Sequence, residues 1–261
     1  MINNHEIDFR IIGEEMQYVE IELDPNETAV AEPGAFMMMD EGIQMQTLFG
    51  DGSQQQGGLL GKLFSAGKRM LVGENLFMTA FTNVGQGKKH VCFASPYPGK
   101  IIPLDLLRLG GRVICQKDAF LCAAKGVSVG IEFQRKLGTG LFGGEGFIME
   151  KLEGDGMAFM HAGGHVVEKH LQAGELLKVD TGCLVGFTYG VHYDIEFIGG
   201  IRNTIFGGEG MFYATLRGPG TVWIQTLPIS RLAGRIIQYG TYKRKEEGSI
   251  LGGLGNLLDG D

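Results

Sequence analysis

A short glycine-rich segment occurs three times in this chain, and it limits the folds that the chain can adopt. The copies read LFGGEGFIMEKLEGDG from Leu141, IFGGEGMFYATLRGPG from Ile205 and, more loosely, LVGENLFMTAFTNVGQG from Leu71. Glu209 follows Glu145 by 64 residues (209 − 145). Self-similarity at a period of this size is typical of a structural unit that is duplicated along the chain. We therefore predict three tandem units rather than three independent ligand loops.

The sequence around each copy predicts that the unit is built from β-strands. Stretches such as RVICQKDAFLCA and LLKVDTGCLVGF are short, apolar and rich in β-branched residues, with Gly, Asp or Pro at their ends. The 44 glycines have no Gly-X-Y period, so they are expected in tight turns. We predict β-hairpins around the turns at 154–156 and 218–220. Side chains in their strands are expected to alternate, with Ala214 and Leu216 on one face and Arg217 on the other.

The predicted fold class is all-β, with three tandem β-sandwich units around a pseudo-threefold axis that share faces and cover each other's strand edges. We expect unit one at about 5–97, unit two at 98–162 and unit three at 163–240, which together form a single domain 1–240. Unit one is expected to contain a helical insert at 48–70. A Gly-rich apolar tail is expected at 241–261.

The repeated Gly-Glu pairs are predicted to have a structural role. An acidic side chain at one position of each unit is expected to cap a backbone turn or to pair with a basic residue where units meet. The stretch 138–143 matches G-x-G-x-x-G, but strands rather than a helix are predicted after it, so we interpret it as a chance match. The six residues with the predicted structural role are Gly73, Glu74, Gly144, Glu145, Gly208 and Glu209.

Composition excludes several functions. A net charge of −7 argues against a nucleic-acid partner, which needs a cationic surface. The sequence contains no basic leader followed by an apolar stretch and no apolar run long enough to span a membrane, which predicts a cytoplasmic location. None of the four cysteines forms a C-x-x-C pair, and each lies in an apolar stretch, so buried free thiols are predicted.

Two segments have the pattern of amphipathic helices. One lies in the insert and has cationic flanks, and the other lies in the tail and is weakened by four glycines. Each could dock on the protein itself or on another subunit, or it could lie on an anionic membrane surface. The residues predicted to make membrane or partner contact are Leu59, Leu60, Leu63, Phe64, Met70, Leu251, Leu254, Leu257 and Leu258.

The densest polar group is HAGGHVVEKH, which contains His161, His165, Glu168 and His170. These residue types suit Zn²⁺ or another transition metal, but the pattern favours a surface group without a metal, because nothing in it fixes a closed set of ligands. On a predicted strand, Glu168 and His170 share one face. No Ser or Cys lies in a pattern typical of a catalytic nucleophile, so neither enzymatic activity nor a cofactor is expected.

The threefold pattern, the VDTGCLVGF strand pair and the repeated FGGEG resemble the altered-inheritance-of-mitochondria family, formerly a domain of unknown function. The resemblance covers about residues 5–240. It implies a fold similar to the tryptophan RNA-binding attenuator protein, with three such units per chain, and it implies a homotrimer. Some relatives are located at the mitochondrial inner membrane. Bacterial members have no established biochemical activity, so the resemblance supplies no catalytic residues.

Two functional hypotheses remain at this point. The first is a non-enzymatic, oligomeric β scaffold that binds a partner protein or a membrane surface. The alternative is a small-molecule or metal-binding module that uses the region of His161, His165 and His170. A small ligand between adjacent units would also fit, because clefts between packed β units often form pockets.

Overall fold

The computed structural model describes residues 7–49, 77–135, 147–198, 211–237 and 239. Nineteen β-strands and one helix, at residues 229–237, account for most of these residues. The predicted all-β class is therefore confirmed. Ala214 and Leu216 are buried and Arg217 is exposed, so the predicted alternation of side chains along this strand is confirmed.

The strands fall into three groups of six, preceded by one additional strand. The additional strand is β1 (Asp8–Ile12). The first unit contains β2 (Tyr18–Leu23), β3 (Thr28–Ala31), β4 (Phe36–Met39), β5 (Ile43–Phe49), β6 (Phe77–Asn83) and β7 (Lys89–Ala94). The second contains β8 (Gly99–Asp105), β9 (Arg112–Gln116), β10 (Phe120–Ala124), β11 (Ser128–Arg135), β12 (Phe147–Glu153) and β13 (Met157–Gly163). The third contains β14 (Val166–Leu171), β15 (Leu176–Asp180), β16 (Leu184–Thr188), β17 (His192–Ile198), β18 (Met211–Arg217) and β19 (Gly220–Gln225).

These strands form four antiparallel sheets. Sheet I has the order β1-β2-β7-β4, and sheet II has the order β5-β6-β3-β10-β13-β8. Sheet III has the order β11-β12-β9-β16-β19-β14, and sheet IV has the order β15-β18-β17. Sheets II and III each join three strands of one unit to three strands of the next unit. The backbone hydrogen bonds of β3 with β10, and of β9 with β16, therefore hold successive units together.

The same pairing scheme occurs in each group of six strands. The first strand pairs with the sixth and the sixth with the third, while the fourth pairs with the fifth and the fifth with the second. The short 3-10 turns at Lys117–Ala119 and Thr181–Cys183 also occupy equivalent places, 64 residues apart (181 − 117). Positions in one unit can therefore be compared directly with positions in another.

The turns at 154–156 and 218–220 do not close hairpins, so that prediction is wrong. The strands on either side of the first turn, β12 and β13, lie in sheets III and II, and those beside the second, β18 and β19, lie in sheets IV and III. Each turn instead carries the chain to the neighbouring sheet. Gly154 and Gly220 have φ values of 151° and 146°, which side-chain-bearing residues rarely adopt. Short Gly-rich turns occur both within hairpins and between sheets, so the sequence pattern alone does not distinguish the two cases.

Three apolar cores lie between successive sheets. Phe81 and Phe159 belong to the core between sheets I and II. Leu152 lies in the core between sheets II and III, and Phe187 and Leu216 lie in the core between sheets III and IV. Among the described strands, none pairs sheet I with sheet IV. The three units thus form an open row, and the predicted pseudo-threefold axis is not seen in this part of the chain.

The segments that connect the units lie side by side along one edge of the row. The amide of Gly164 donates to the Pro98 carbonyl at 3.0 Å, and the amide of Leu227 donates to the Gly163 carbonyl at 3.1 Å. Gly163 is needed here because a Cβ at this position would lie 2.0 Å from the carbonyl oxygen of Leu227. These segments hold together the ends of strands from different units.

Candidate functional site

The first candidate site is a pair of sheet edges at the two ends of the row. The third strands of units two and three, β10 and β16, are each paired on both sides. Their equivalent in unit one, β4, lies at the edge of sheet I and pairs with β7 alone among the described strands. Conversely, β3 and β9 pair on both sides, whereas their equivalent β15 lies at the edge of sheet IV. Among the described strands, the row therefore ends in one unpaired edge equivalent to β10 and β16 and one equivalent to β3 and β9.

The side chains of β4 are exposed where those of its equivalents are buried. Phe36 and Met38 are 39% and 45% exposed. Phe120 and Cys122 occupy the same places on β10 and are 3% and 0% exposed. Four consecutive apolar side chains, FMMM, are thus each 38–48% exposed on an edge strand, which is a feature that proteins ordinarily avoid.

The edge formed by β15 shows a similar difference. All four residues of β3 are buried, and the three central residues of β9 are buried. In β15, Val179 is the single buried residue, and Leu176 is 51% exposed. Among the described residues, neither end of the row has the cover that a neighbouring unit provides at the internal junctions.

The second candidate site is a cavity of about 490 Å³ between units one and two. The turn before β4, the connection between β7 and β8, the beginning of β10 and the strand β13 surround it, and the helix at 229–237 contributes one side chain. The lining residues are Glu32, Pro33, Gly34, Ala35, Pro96, Tyr97, Asp118, Phe120, Leu121, His161 and Ile229.

His161 is the most deeply buried polar residue of this cavity, with 1% of its surface exposed. Its Nε2 lies 3.2 Å from the carbonyl oxygen of Tyr97, and the Tyr97 ring meets the imidazole edge-on with 4.2 Å between centroids. Burial lowers the pKa of His161 to about 4, so the ring is neutral at pH 7. A neutral ring that donates from Nε2 has a lone pair on Nδ1, and that atom has no hydrogen-bond partner among the described residues.

Glu32 gives the same cavity an ionisable carboxyl group. Burial, with a smaller contribution from the charge of Asp118, raises the pKa of Glu32 to about 7, and Lys117 partly opposes this shift. Burial also raises the pKa of Tyr97 to about 12, so its hydroxyl stays protonated at neutral pH. The cavity therefore combines a neutral imidazole acceptor with two acidic side chains and an apolar floor.

The four residues of the predicted metal group do not form one cluster. Glu168 and His170 share a face of β14, as predicted, with His170 Nε2 3.3 Å from Glu168 Oε1. Trp223 Nε1 donates to the other Glu168 oxygen at 2.8 Å. His165 is exposed, and His161 faces the cavity. Among the described residues, no group of three or more His, Cys, Asp or Glu is placed to hold a metal ion.

The other predicted residues divide into two sets. Cys92, Cys115 and Cys122 are buried, as predicted, whereas Cys183 is half-buried. The Gly-Glu residues and the apolar residues of the insert and tail lie outside the described part of the chain. They are Gly73, Glu74, Gly144, Glu145, Gly208, Glu209, Leu59, Leu60, Leu63, Phe64, Met70, Leu251, Leu254, Leu257 and Leu258.

Neither the exposed edge strand β4 nor the cavity residues Glu32 and Tyr97 were predicted from the sequence. A signal for β4 was present, because FMMM is an apolar run without the polar alternation that a solvated edge strand shows. The cavity residues have no local motif. They come from distant segments, and their proximity depends on the register between units.

Together, the sheets and their free edges define an all-β protein of three consecutive six-stranded units that share sheets. The sequence profile of the family described as mitochondrial biogenesis AIM24 matches residues 9–227, and the chain belongs to this family. The predicted family membership is thus confirmed, and the likeness to the attenuator fold stays a prediction.

Two relatives from Streptococcus pyogenes illustrate the range of similarity. An uncharacterised protein of serotype M6 is 31% identical over 234 residues, which cover 87% of this chain and 89% of that protein. The crystal structure of a Streptococcus pyogenes protein matches with a TM-score of 0.69 at 24% identity, covering 90% of this chain and 100% of the other. At that identity the structural match supports the fold alone.

None of the helices in the described residues is long and apolar enough to cross a membrane.

Proposed function

We propose that this chain is a non-enzymatic β scaffold that assembles head to tail, with β4 of one copy paired to β15 of the next. The observation that supports this is the complementarity of the two free edges. The chain forms this kind of junction twice internally, through β3 with β10 and through β9 with β16. A third junction of the same kind needs one β15 edge and one β4 edge, and each copy has one of each.

The internal junctions define the register of the proposed pair. Cys122 lies opposite Ala31 at the first junction, and Gly186 lies opposite Cys115 at the second. The equivalent positions at the ends of the row are Met38 on β4 and Val179 on β15. The next pair in the ladder is then Met39 opposite Lys178 of the neighbouring copy.

An interface of this kind joins two different surfaces, so it continues until a ring closes. The family resemblance implies three copies, which would place nine units in one ring. Pairing covers the FMMM strand with backbone hydrogen bonds and apolar contacts, and it removes both free edges at once. A self-assembling scaffold needs no catalytic residue, which fits the absence of a recognisable nucleophile and base in the sequence.

A partner other than a second copy, whether a protein or a membrane surface, is proposed for the insert at 48–70 and the tail at 241–261. The amphipathic pattern of these segments supports this part of the proposal. Co-sedimentation with anionic vesicles tests it. Binding by the whole chain that is lost without both segments supports membrane contact, and equal binding by both proteins contradicts it.

Sedimentation equilibrium of the whole chain tests the assembly itself. We expect the native protein to have a mass of at least two chains of 28.3 kDa each, and the family resemblance implies three chains. Replacing Met37 and Met38 by Lys places two charges on the edge and is expected to yield monomer. Met16→Lys is the matched control, because Met16 is also an exposed methionine but lies outside β4.

A monomeric native protein would overturn the proposal, and so would a β4 variant that keeps the mass of the native assembly. Circular dichroism of both variants separates loss of assembly from loss of folding.

A further inference from the structure

The cavity between units one and two differs from the corresponding place between units two and three, although the backbone pairing is the same. Ala31 at the first junction and Cys115 at the second are equivalent, because each pairs with the equivalent residue of the next unit. The residue that follows is Glu32 at the first junction and Gln116 at the second. On the sixth strand, Phe159 and Trp223 occupy equivalent places, so His161 corresponds to Gln225.

At the second junction, the side chains of the two glutamines are hydrogen-bonded to backbone groups of units two and three. Gln116 Nε2 donates to the Thr181 carbonyl at 2.7 Å. Gln225 Nε2 donates to the Gly182 carbonyl at 2.9 Å, and its Oε1 accepts from the Gly163 amide at 2.8 Å. Both side chains therefore bridge the two units, and both amide atoms of Gln225 are hydrogen-bonded within the protein.

At the first junction, the replacements remove the bridging donors. A carboxylate has no hydrogen to donate, and the imidazole Nε2 is directed at the Tyr97 carbonyl instead. The result is a cavity with a buried acceptor, His161 Nδ1, that the described residues leave without a partner. A buried polar atom without a partner is costly, so its presence beside a cavity points to a ligand that supplies the missing hydrogen.

The charges around the cavity determine which ligand fits. Glu32 and Asp118 are acidic, His161 is a neutral acceptor, and Lys117 contributes an opposing positive charge from the turn before β10. Ala35, Phe120 and Leu121 add apolar surface. A volume of about 490 Å³ lies within the range that small-molecule sites usually have.

We propose that this cavity binds a small organic cation, a primary amine or amidinium on an apolar body, which donates hydrogen bonds to His161 Nδ1 and to the Glu32 carboxylate. The cationic head replaces the donors that Gln116 and Gln225 provide at the second junction, and the apolar body covers the floor. The site lies within a single copy, so it does not depend on the assembly proposed above.

Binding is expected to strengthen as the pH rises from 6 to 8. Over this interval Glu32 becomes ionised, whereas His161 stays neutral and Tyr97 stays protonated. Asp118 and Lys117 are the other charged groups beside Glu32. The cation therefore meets a more negative cavity at pH 8.

Isothermal titration of the whole chain with three matched probes tests the proposal. The probes are 2-phenylethylamine, its neutral counterpart 2-phenylethanol and the anion 3-phenylpropanoate. At pH 8 we expect saturable binding of one amine per chain, and binding of the alcohol and the anion that is weaker by at least about tenfold. In ¹⁵N spectra, the amine is expected to shift the His161 Nδ1 resonance.

Glu32→Gln and His161→Gln introduce the side chains that the chain already carries at the second junction, so both variants are expected to fold. Each should weaken amine binding by about tenfold or more. Glu41→Gln is the matched control, since it removes an exposed carboxylate outside the cavity and should leave binding unchanged.

Three results would overturn the proposal: no saturable amine binding, equal binding of the alcohol or the anion, or unchanged amine binding in both cavity variants.

Discussion

The two internal junctions of this protein share a backbone and differ in what fills the space beside it. At the second junction, Gln116 and Gln225 connect the units by side-chain hydrogen bonds. At the first, Glu32 and His161 occupy the same positions and border a cavity. Strand pairing thus holds the units together at both junctions, while the side chains beside the pairing bridge the units at one junction and border a cavity at the other.

The largest effect is expected from Gln225→Ala at the second junction. The change leaves the buried Gly163 amide and the Gly182 carbonyl without their partners, and each such loss costs on the order of 1–3 kcal/mol. We expect a loss of about 3 kcal/mol in the free energy of unfolding, measured by urea denaturation. His161→Ala is the counterpart at the first junction and should cost less, because His161 makes one hydrogen bond at 3.2 Å. Equal losses at both positions would contradict the proposed difference between the two junctions.

A smaller, pH-dependent effect is expected from Glu32→Gln. The pKa of Glu32 is raised to about 7, so the folded state binds a proton more tightly than the unfolded chain does. Glu32 therefore reduces stability progressively as the pH rises from about 4.5 to 7. The variant should gain on the order of 2 kcal/mol at pH 8 and very little at pH 4.5, measured by urea denaturation at both pH values. A gain of the same size at both would show that Glu32 is not responsible.

The smallest effect is expected from His161→Gln, and it has the opposite pH dependence. The pKa of His161 is lowered to about 4, so the unfolded chain takes up a proton more readily than the folded protein. The stability due to the neutral ring is present above about pH 6.5 and is lost as the pH falls towards 4. The difference in the free energy of unfolding between variant and native protein should therefore shift by about 1 kcal/mol in favour of the variant when the pH is lowered from 8 to 5. Thermal melts at the two pH values provide the measurement, and parallel curves would contradict the assignment.

The sequence allowed the all-β class and the family to be predicted, because short apolar runs alternate with Gly-rich turns along the chain. It did not allow the sheet assignment to be predicted. A turn such as Gly218–Gly220 looks like a hairpin turn, but it connects two sheets because β18 and β19 each find partners elsewhere. The shared face of Glu168 and His170 followed from strand periodicity alone.

The candidate sites were harder to predict than the fold. His161 was identified as a polar residue of interest, but its neighbours Tyr97 and Glu32 are 64 and 129 residues away in the chain (161 − 97 and 161 − 32). Such proximity follows from the pairing of β3 with β10 and of β10 with β13, which no local pattern encodes. The exposed β4 edge is similarly invisible until the pairing of its equivalents is known.

The internal junctions also indicate how the proposed junction between copies would differ from them. Lys178 on β15 lies over the Tyr213 ring, where the equivalent residue of β9 is the buried Ile114. A junction that includes Lys178 is more polar than either internal one. Interfaces between subunits that form separately commonly have this character.

Cross-linking between two differently marked chains tests whether β4 of one copy pairs with β15 of the next. Met39→Cys is introduced into one preparation and Lys178→Cys into another, both with Cys183→Ser to remove the half-buried native thiol. The two are unfolded, mixed, refolded and treated with a short bis-maleimide. If β4 of one copy pairs with β15 of the next, the mixture gives a covalent dimer containing one chain of each kind, and neither variant gives it alone. A mixture of Met16→Cys with Lys178→Cys should not react in this way. Absence of the mixed dimer, in a preparation where both variants fold, would contradict the account.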